Sequence, residues 1–204
     1  MMNADFFSRR ATAVARDLLG KRLVRIAEDE KMSGIIVETE AYSGLDDLAS
    51  HGRARKTARN LPMFGQPGTI YIYLIYGNYH MLNIVCEPED HPAAVLIRAI
   101  EPDSGTEHMK KRRNKESIAD LCSGPGKLAK ALAITKDLND IPLGDYLYVE
   151  NGKDVPDSDV LISPRIGLGK SVSEPWFLMP WRFYLKDNPF VSHPKKYEPI
   201  KYEI

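Results

Sequence analysis

The pattern of apolar positions along the chain predicts a mixed α/β fold. Apolar side chains at helical spacing, or charged stretches typical of an exposed helix, predict helices at 5–19, 104–120 and 128–134. Alternating or continuous apolar runs predict strands at 21–27, 34–42, 92–100, 146–149, 159–166 and 182–185. A turn at 28–31 joins the first two strands into a hairpin. The length of 204 residues predicts a single domain, residues 1–204.

Residues 69–85 predict a second β-hairpin, because Gly77-Asn78 is a strong two-residue turn signal between apolar runs. Tyr71 and Tyr73 lie two apart and share one face of the strand. Cross-strand packing is the ordinary explanation for tyrosines in strands. Tyr76 fits that explanation less well, since it falls at the tip of the hairpin with no core beneath it.

The strand at 34–42 begins with an apolar run and ends in acids. Glu38, Glu40 and Tyr42 alternate, so all three point to the same face. A buried carboxylate is costly unless it is paired or hydrogen-bonded, which suggests a use for at least one of the two. The alternative is an edge strand with ordinary surface acids. Arg98 interrupts the apolar run at 92–100, and a buried arginine needs an anionic partner such as these glutamates.

Three loops carry glycine and basic residues. The stretch 43–68 lacks periodicity, and a loop of that length is either functional or a solvated surface segment. Residues 122–127 form a helix start whose backbone N–H groups suit an anion, although they do not match a Walker loop. Residues 165–170 form a basic turn. The cationic cluster at 110–115 is typical of a solvated helix face.

Composition narrows the class of protein. With 204 residues and 43% apolar content, the chain can bury a sizeable core. Lys+Arg and Asp+Glu are both 28, so net charge indicates neither nucleic acid nor membrane. Two cysteines without metal spacing favour a reduced compartment. Neither a signal peptide nor an apolar run near membrane length is present. We therefore expect a cytoplasmic protein, at the nucleoid in a bacterium, with no membrane partner.

The residues of the chain favour catalysis by a single carboxylate over other kinds of active site. The chain has no Ser/His/Asp motif, no His-Glu-x-x-His and no cysteine cluster, so we expect neither a metal nor a cofactor. A carboxylate without a nucleophile suits the activation of water. Tyrosines and histidine suit a flat, electron-poor ligand, and basic loops suit phosphates. Together these features predict a water-activating site for a nucleobase.

At this point the chain resembles the alkyladenine (3-methyladenine) DNA glycosylase family. The shared motifs occur in family order from about residue 8 to residue 192, and each is weak alone while the ordered set is specific. They are residues 15–21, 36–42, 49–51, 57–60, 63–64, 67–77, 83–84, 96–102, 121–128, 165–169 and 182–184.

The resemblance implies roles that the residues alone leave open. It assigns Glu40, rather than Glu38, as the general base for the attacking water. Arg98 and the backbone carbonyl of Ile166 match the positions that hold that water. Glu38 is then expected to be structural, bonding backbone N–H groups of the 43–68 loop.

The remaining matched positions surround the flipped nucleotide. Tyr76 matches the residue that wedges into the duplex, and Asn83 matches a pocket residue that crowds exocyclic amino groups and so disfavours guanine. The aromatic walls of the base pocket match Tyr42, His51 and Tyr73. The DNA-backbone contacts match Arg55, Thr57, Tyr79, Lys127 and Gly167.

The resemblance also implies the fold and the activity. The fold expected is a curved, largely antiparallel sheet flanked by helices, with the hairpin at about 69–85 protruding into DNA. The activity expected is that of a monofunctional, monomeric DNA glycosylase acting on damaged double-stranded DNA. Its substrates would be alkylated or deaminated purines of the 3-methyladenine, 7-methylguanine, hypoxanthine and ethenoadenine class.

Two features depart from the family pattern, and two alternative functions remain open. Asn78 stands where the family often has Met, and the acidic segment 86–92 is particular to this chain. The first alternative is a damage-binding module in which Glu40 is only a structural partner of Arg98. The second is a hydrolase of free nucleosides, which would have no need for Tyr76. No lysine falls at a matched catalytic position, so no Schiff-base intermediate is expected.

Overall fold

An antiparallel sheet dominates the fold. The computed structural model describes residues 1–53, 55–169 and 172–192. The strands are β1 (Arg22–Ala27), β2 (Glu30–Ser43), β3 (Ile70–Ile75), β4 (Tyr79–Val85), β5 (Ala93–Ser104), β6 (Leu147–Glu150), β7 (Val160–Ser163) and β8 (Arg182–Leu185). The helices are α1 (Ala4–Phe7), α2 (Ala11–Asp17), α3 (Thr106–Arg113) and α4 (Pro125–Ala131). Short 3₁₀ helices lie at Leu61–Phe64, Ile118–Asp120, Lys136–Leu138 and Asp157–Asp159.

Strand β2 is the centre of the sheet. The order is β3-β4-β5-β2-β1-β6, and β8 joins β2 and pairs with β7. Every ladder between these strands is antiparallel. The sheet curls into a half-barrel with the helices packed against it, so the predicted fold class is confirmed. Entry of the hairpin into DNA stays a prediction. Within the described ranges, no helix is both long and apolar enough to cross a membrane.

Both faces of the central strands are covered. Helix α2 packs on β2 and β5, and α4 packs on β4 and β5. A smaller cluster that includes Met63, Phe64 and Tyr71 lies under the 43–68 loop. Burial on both faces explains why the strand sequences are continuous apolar runs rather than alternating ones. It also means that a polar side chain within β2 or β5 must find its partners inside the protein.

The predicted helix at 5–19 is wrong as a single element. Helix α1 ends at Phe7, and the hydroxyl of the capping residue Ser8 donates to the Ala4 carbonyl at 2.9 Å. Arg10, with φ of −49° and ψ of 134°, is not helical and separates α1 from α2. The carboxylate of Glu87 accepts the Ala11 N–H at 2.9 Å and caps α2. Apolar spacing continues across the break, so the pattern could not show it. The cap comes from the acidic segment 86–92, which therefore has a structural role here.

Other boundaries differ from the prediction. Strand β5 runs to Ser104, so the predicted helix at 104–120 begins only at Thr106 and ends at Arg113. Asn114 stops it in the left-handed conformation, with φ of 51°. The helix predicted at 128–134 starts earlier, at Pro125, and the strand predicted at 159–166 is only Val160–Ser163.

The hairpin prediction is confirmed, but its turn is displaced by one residue. Ile75 pairs with Tyr79, and the Asn78 N–H donates to the Ile75 carbonyl at 3.3 Å. Tyr76 and Gly77 are the central turn residues, both left-handed, with φ of 52° and 76°. Tyr76 is therefore part of the turn itself, and it is 87% exposed.

Candidate active site

A β-bulge aims Arg98 at the strand-end acids. Glu38 pairs with Ala99, and the next residue, Thr39, pairs with Ile97. Arg98 is therefore the extra residue of β5 at this point. Bulges re-aim side chains and are common beside active sites. Here the bulge brings a guanidinium from the apolar strand β5 onto the face of β2 that carries the glutamates.

Arg98 bridges both glutamates. Its Nε donates to Glu38 Oε1 at 2.8 Å, and its Nη1 donates to Glu40 Oε2 at 3.2 Å. Arg98 is 5% exposed and both glutamates are 0% exposed. Burial alone would lower the pKa of Arg98, but the two carboxylates outweigh it and raise that pKa. The acids are thus buried and paired, and the edge-strand alternative is wrong for both.

Glu38 is held by a second guanidinium and by the chain near its end. Arg182 Nε donates to Oε1 at 2.7 Å, and Ser192 donates its backbone N–H at 2.7 Å and its hydroxyl at 3.0 Å. The expected bonding to the 43–68 loop is wrong, since the donors come from β5, β8 and Ser192. Burial would raise the pKa of Glu38, but Arg98 and Arg182 outweigh it and lower that pKa.

Glu40 has a different set of partners. Its Oε1 accepts the Ile166 backbone N–H at 2.7 Å. Its Oε2 accepts the Tyr42 hydroxyl at 2.9 Å and the Arg98 guanidinium. A carboxylate oxygen can accept about two hydrogen bonds, so Oε1 retains acceptor capacity for a water. Ile166 contacts Glu40 through its N–H, and the expected contact of its carbonyl with water stays a prediction.

A cavity of about 440 Å³ lies beside these groups, within the size range of small-molecule pockets. Five residues that the sequence assigned to the base or to DNA line it together. They are Tyr42, His51, Tyr73, Asn83 and Gly167. Tyr42 belongs to both groups, because its ring lines the cavity while its hydroxyl bonds Glu40. No cluster of three or more His, Cys, Asp or Glu in the described part of the chain is arranged to hold a metal.

The aromatic walls are electrically neutral. His51 meets the Tyr73 ring edge-on, with centroids 4.5 Å apart and planes at 79°. Partial burial and the neighbouring Arg59 lower the pKa of His51 to about 4. Burial and the Glu40 charge raise the pKa of Tyr73 to about 12. Burial, with Glu40 next, also raises the pKa of Tyr42 well above its ordinary value. The walls thus present neutral rings to a ligand.

Asn83 is fixed in orientation by its own strand pair. Its Nδ2 donates to the carbonyls of Tyr71 and Met81, each at 3.1 Å. Both amide protons are therefore used, and Oδ1 is the polar atom left for the cavity. The predicted crowding of exocyclic amino groups by Asn83 stays a prediction.

Apart from Gly167, which lines the cavity, the predicted DNA-backbone residues fall in two places. Tyr79 packs on the start of α4, where a Cβ added at Gly126 would lie 2.9 Å from the Tyr79 ring. Lys127 is the next residue and is exposed, with its Nζ 3.3 Å from Ser123 Oγ. Arg55 and Thr57 lie instead on the 43–68 loop. The hairpin side and the loop side are thus two separate candidate contact regions.

Asn60 is an organising residue that the sequence did not single out. Its Nδ2 donates to the carbonyls of His51 at 2.7 Å and Arg55 at 3.0 Å. Its Oδ1 accepts the Thr57 N–H at 2.7 Å. One buried asparagine thus ties the candidate phosphate contacts to a wall of the cavity. Its place in the matched motif at 57–60 was the signal available.

The Arg165–Asp47 pair was also missed. The guanidinium binds Asp47 through two bonds of 2.6 and 2.9 Å, and both side chains are fully buried. The Arg165 guanidinium lies 4.7 Å from the Tyr42 ring centroid. Asp47 Oδ1 also accepts the Ala49 N–H at 2.9 Å. The pair fastens the 43–68 loop to the turn that begins at Arg165, although 118 residues separate the partners.

Comparison with known proteins places this site in a family. The profile of the Methylpurine-DNA glycosylase (MPG) family matches residues 5–189. Three curated relatives carry the name "Putative 3-methyladenine DNA glycosylase". The protein from Methanocella arvoryzae is 49% identical over 92% of this chain and 94% of its own length. The protein from Prosthecochloris aestuarii is 44% identical over 97% of this chain and 93% of its own length. The protein from Chlorobium phaeobacteroides is 46% identical over 92% of this chain and 94% of its own length.

The family match spans nearly all of the described fold, from α1 to the end of β8. It includes Glu40, Arg98 and every residue that lines the cavity. The chain therefore belongs to the methylpurine-DNA glycosylase family and is a hydrolase of the DNA glycosylase type.

Proposed function

We propose that this DNA glycosylase is monofunctional and removes alkylated or deaminated purines from duplex DNA. The class is that of 3-methyladenine, 7-methylguanine, hypoxanthine and ethenoadenine. The target nucleotide leaves the stack and its base enters the cavity, while Tyr76 fills the gap. The enzyme acts as a single-domain monomer in the cytoplasm or nucleoid, without a cofactor. The damaged duplex is its partner.

One observation carries the proposal: a buried carboxylate held by three donors beside an aromatic cavity. Tyr42, Arg98 and the Ile166 N–H fix Glu40 and leave acceptor capacity on Oε1. A water on Oε1 would be activated next to the cavity that holds the base. Preorganised groups of this kind cost no reorganisation when the reaction occurs.

The reaction balances without a covalent enzyme intermediate. Glu40 takes a proton from water, and the water oxygen forms a bond to C1′. The C1′–N bond breaks, and its electron pair leaves with the base. A 3- or 7-alkylated purine carries a positive charge and leaves as a neutral base. Hypoxanthine and ethenoadenine must acquire a proton as they leave. The DNA retains an abasic site.

The walls of the cavity suit a flat purine. Neutral rings of Tyr42, His51 and Tyr73 surround it. Stacking of a cationic base on an aromatic face is worth about 0.5–2 kcal/mol per contact. Asn83 lies at the same cavity and supports exclusion of guanine. Tyr76, exposed on a tight turn, supports duplex DNA over a free nucleoside as substrate.

The test is Glu40→Gln assayed on a duplex that carries one lesion, under single-turnover conditions. The amide keeps the shape of the carboxylate but cannot take a proton. We expect base release to slow by about 10²–10⁴-fold, the range for loss of a general base, with little change in affinity for the duplex.

Two outcomes would contradict the proposal. Unchanged base release by Glu40→Gln would remove Glu40 from its role. Tight lesion binding by the wild type with no release would favour the damage-binding module. Borohydride treatment adds a control, because trapping of a protein–DNA adduct would contradict a monofunctional mechanism.

A further inference from the structure

The buried ion pair between Arg165 and Asp47 has no part in the proposed reaction. Two bonds of 2.6 and 2.9 Å join the guanidinium to the carboxylate, and both side chains are fully buried. A buried ion pair contributes little net stability, because lost hydration offsets most of the attraction. Arg165 Nε moreover has no hydrogen-bond partner among the described residues. The position of these two charges beside the site is therefore more informative than their contribution to stability.

The Arg165 guanidinium lies behind the Tyr42 wall of the cavity. It sits over the Tyr42 ring, 4.7 Å from the ring centroid. Tyr42 lines the cavity, whereas neither Arg165 nor Asp47 is among the described residues that line it. Further bonds to the carbonyls of Ala41 at 3.1 Å and Trp176 at 3.2 Å hold the guanidinium in place. One aromatic ring thus separates a buried positive charge from the space that receives a ligand.

The charge of Arg165 acts on the ring and on a ligand beyond it. Burial raises the pKa of the Tyr42 hydroxyl and Glu40 adds to that effect, while Arg165 acts in the opposite direction. A cation on one face of a ring draws on the same electron density that would attract a cation to the other face. It also repels a second cation directly, and salt screens buried charges only weakly. An uncompensated Arg165 would therefore make Tyr42 a poor wall for a positively charged base.

Asp47 supplies the compensating negative charge. The two glutamates of β2 already pair with Arg98 and Arg182, so neither is free to balance a further guanidinium. Among the described residues, Asp47 provides the one carboxylate that pairs with Arg165. Replacing that carboxylate by an amide of similar size would leave one net positive charge behind the ring.

We propose that Asp47 is a positioning residue for specificity, which neutralises Arg165 behind Tyr42 and so lets the cavity accept positively charged bases. The inference rests on the proposed function, which places the flipped base against Tyr42. The ligand class is the purine that carries a positive charge from alkylation at N3 or N7. Neutral lesions such as hypoxanthine are less sensitive to the charge, so Asp47 sets the balance between two groups of substrates.

Two matched duplexes separate the effect of charge from that of shape. One carries 7-methylguanine and the other its neutral isostere 7-deaza-7-methylguanine, both on a 2′-fluoro sugar that resists hydrolysis. The readout is the ratio of the two dissociation constants at equilibrium, in the wild type and in Asp47→Asn. A unit charge roughly 8 Å away, at an effective dielectric constant of about 20, changes an equilibrium constant by about 10- to 30-fold. We expect Asp47→Asn to weaken binding of 7-methylguanine relative to the isostere by about tenfold or more.

Three further variants separate charge from packing. The double variant Asp47→Asn/Arg165→Gln removes both charges and should return the ratio to the wild-type value, even if both affinities fall. Arg165→Gln alone removes the positive charge and should not lower the preference for 7-methylguanine, which keeps the inference testable if Asp47→Asn does not fold. Glu87→Gln is the matched control, because it also removes a buried carboxylate, one that caps α2. It should leave the ratio unchanged.

Two results would overturn the inference. One is an Asp47→Asn variant that loses affinity for both duplexes equally, which is the effect of lost packing alone. The other is an Arg165→Gln variant that selectively weakens binding of 7-methylguanine. A wild type that binds neither probe more tightly than undamaged duplex would contradict the proposed function instead.

Discussion

At the scale of residues, partners separate two acids that look equivalent in the sequence. Glu38 accepts from two guanidinium groups, those of Arg98 and Arg182. Glu40 accepts from one guanidinium and from the Tyr42 hydroxyl, which belongs to a residue of the cavity wall. Glu38 therefore holds Arg98 in place, and Glu40 is the acid bonded to a residue that lines the cavity.

This division predicts that Glu38→Gln costs stability more than chemistry. An uncompensated positive charge would stay buried, and breaking such a network costs about 3–5 kcal/mol. The rate constant for base release by the folded fraction should fall far less than in Glu40→Gln. Urea unfolding and single-turnover kinetics on the same preparation measure the two effects. Complete loss of base release in a folded Glu38→Gln protein would contradict the division.

Glu38 also predicts how the stability of the protein depends on pH. The pKa of Glu38 is lower in the folded protein than in the unfolded chain. In acid, the unfolded state therefore binds more protons than the folded state. The contribution of Glu38 to the free energy of unfolding is complete above its unfolded pKa of about 4.5. It is lost as pH falls through the folded value. The stability gap between wild type and Glu38→Gln should hence be widest near pH 7 and narrow below about pH 4.5.

At the scale of elements, the hairpin turn places backbone strain at its tip. Tyr76 has a φ of 52°, a conformation in which a bulky side chain is unusual and Asn or Gly is common. Its side chain is 87% exposed, so packing within the chain does not repay the strain. Residues held in such conformations cluster at functional sites. This supports the role of Tyr76 as a wedge.

The prediction for this element is that Tyr76→Asn stabilises the protein while it impairs repair. Asn adopts the left-handed conformation more readily, so unfolding should cost about 0.5–1 kcal/mol more. Without the wedge, base release from duplex DNA should slow by at least about tenfold, because flipping loses a few kcal/mol of support. Release from single-stranded DNA should change much less. Equal losses on both substrates would contradict the wedge.

The secondary-structure elements also show how much of the fold can be predicted from the sequence. Periodicity located the strands and the hairpin, because burial of their faces follows from side-chain spacing. The turn was misplaced by one residue, since Gly77-Asn78 is the stronger local signal than Tyr76-Gly77. The bulge at Arg98 and the pairing of Asp47 with Arg165 depend on register and on contacts between distant segments. No local pattern encodes them, and only the folded chain brings them together.

At the scale of the whole molecule, zero formal net charge coexists with a predicted DNA surface. The sequence has 28 basic and 28 acidic residues. Several arginines form buried ion pairs with carboxylates inside the protein. Examples are Arg98, Arg165 and Arg182. We therefore predict that attraction to phosphates comes from exposed cations on the two candidate contact regions, the loop with Arg55 and the start of α4 with Lys127.

This distribution predicts a modest dependence of DNA affinity on salt, carried by few cations. Each phosphate contact contributes about one unit to the slope of log Kd against log salt. Arg55→Gln and Lys127→Gln should each lower that slope by about one unit on damaged and undamaged duplex alike. Lys31→Gln is the control, because this exposed lysine lies at the opposite end of β2 from the site loop. Titration of DNA binding at several salt concentrations measures the slope for all three variants. An unchanged slope in both Arg55→Gln and Lys127→Gln would exclude these residues as phosphate contacts.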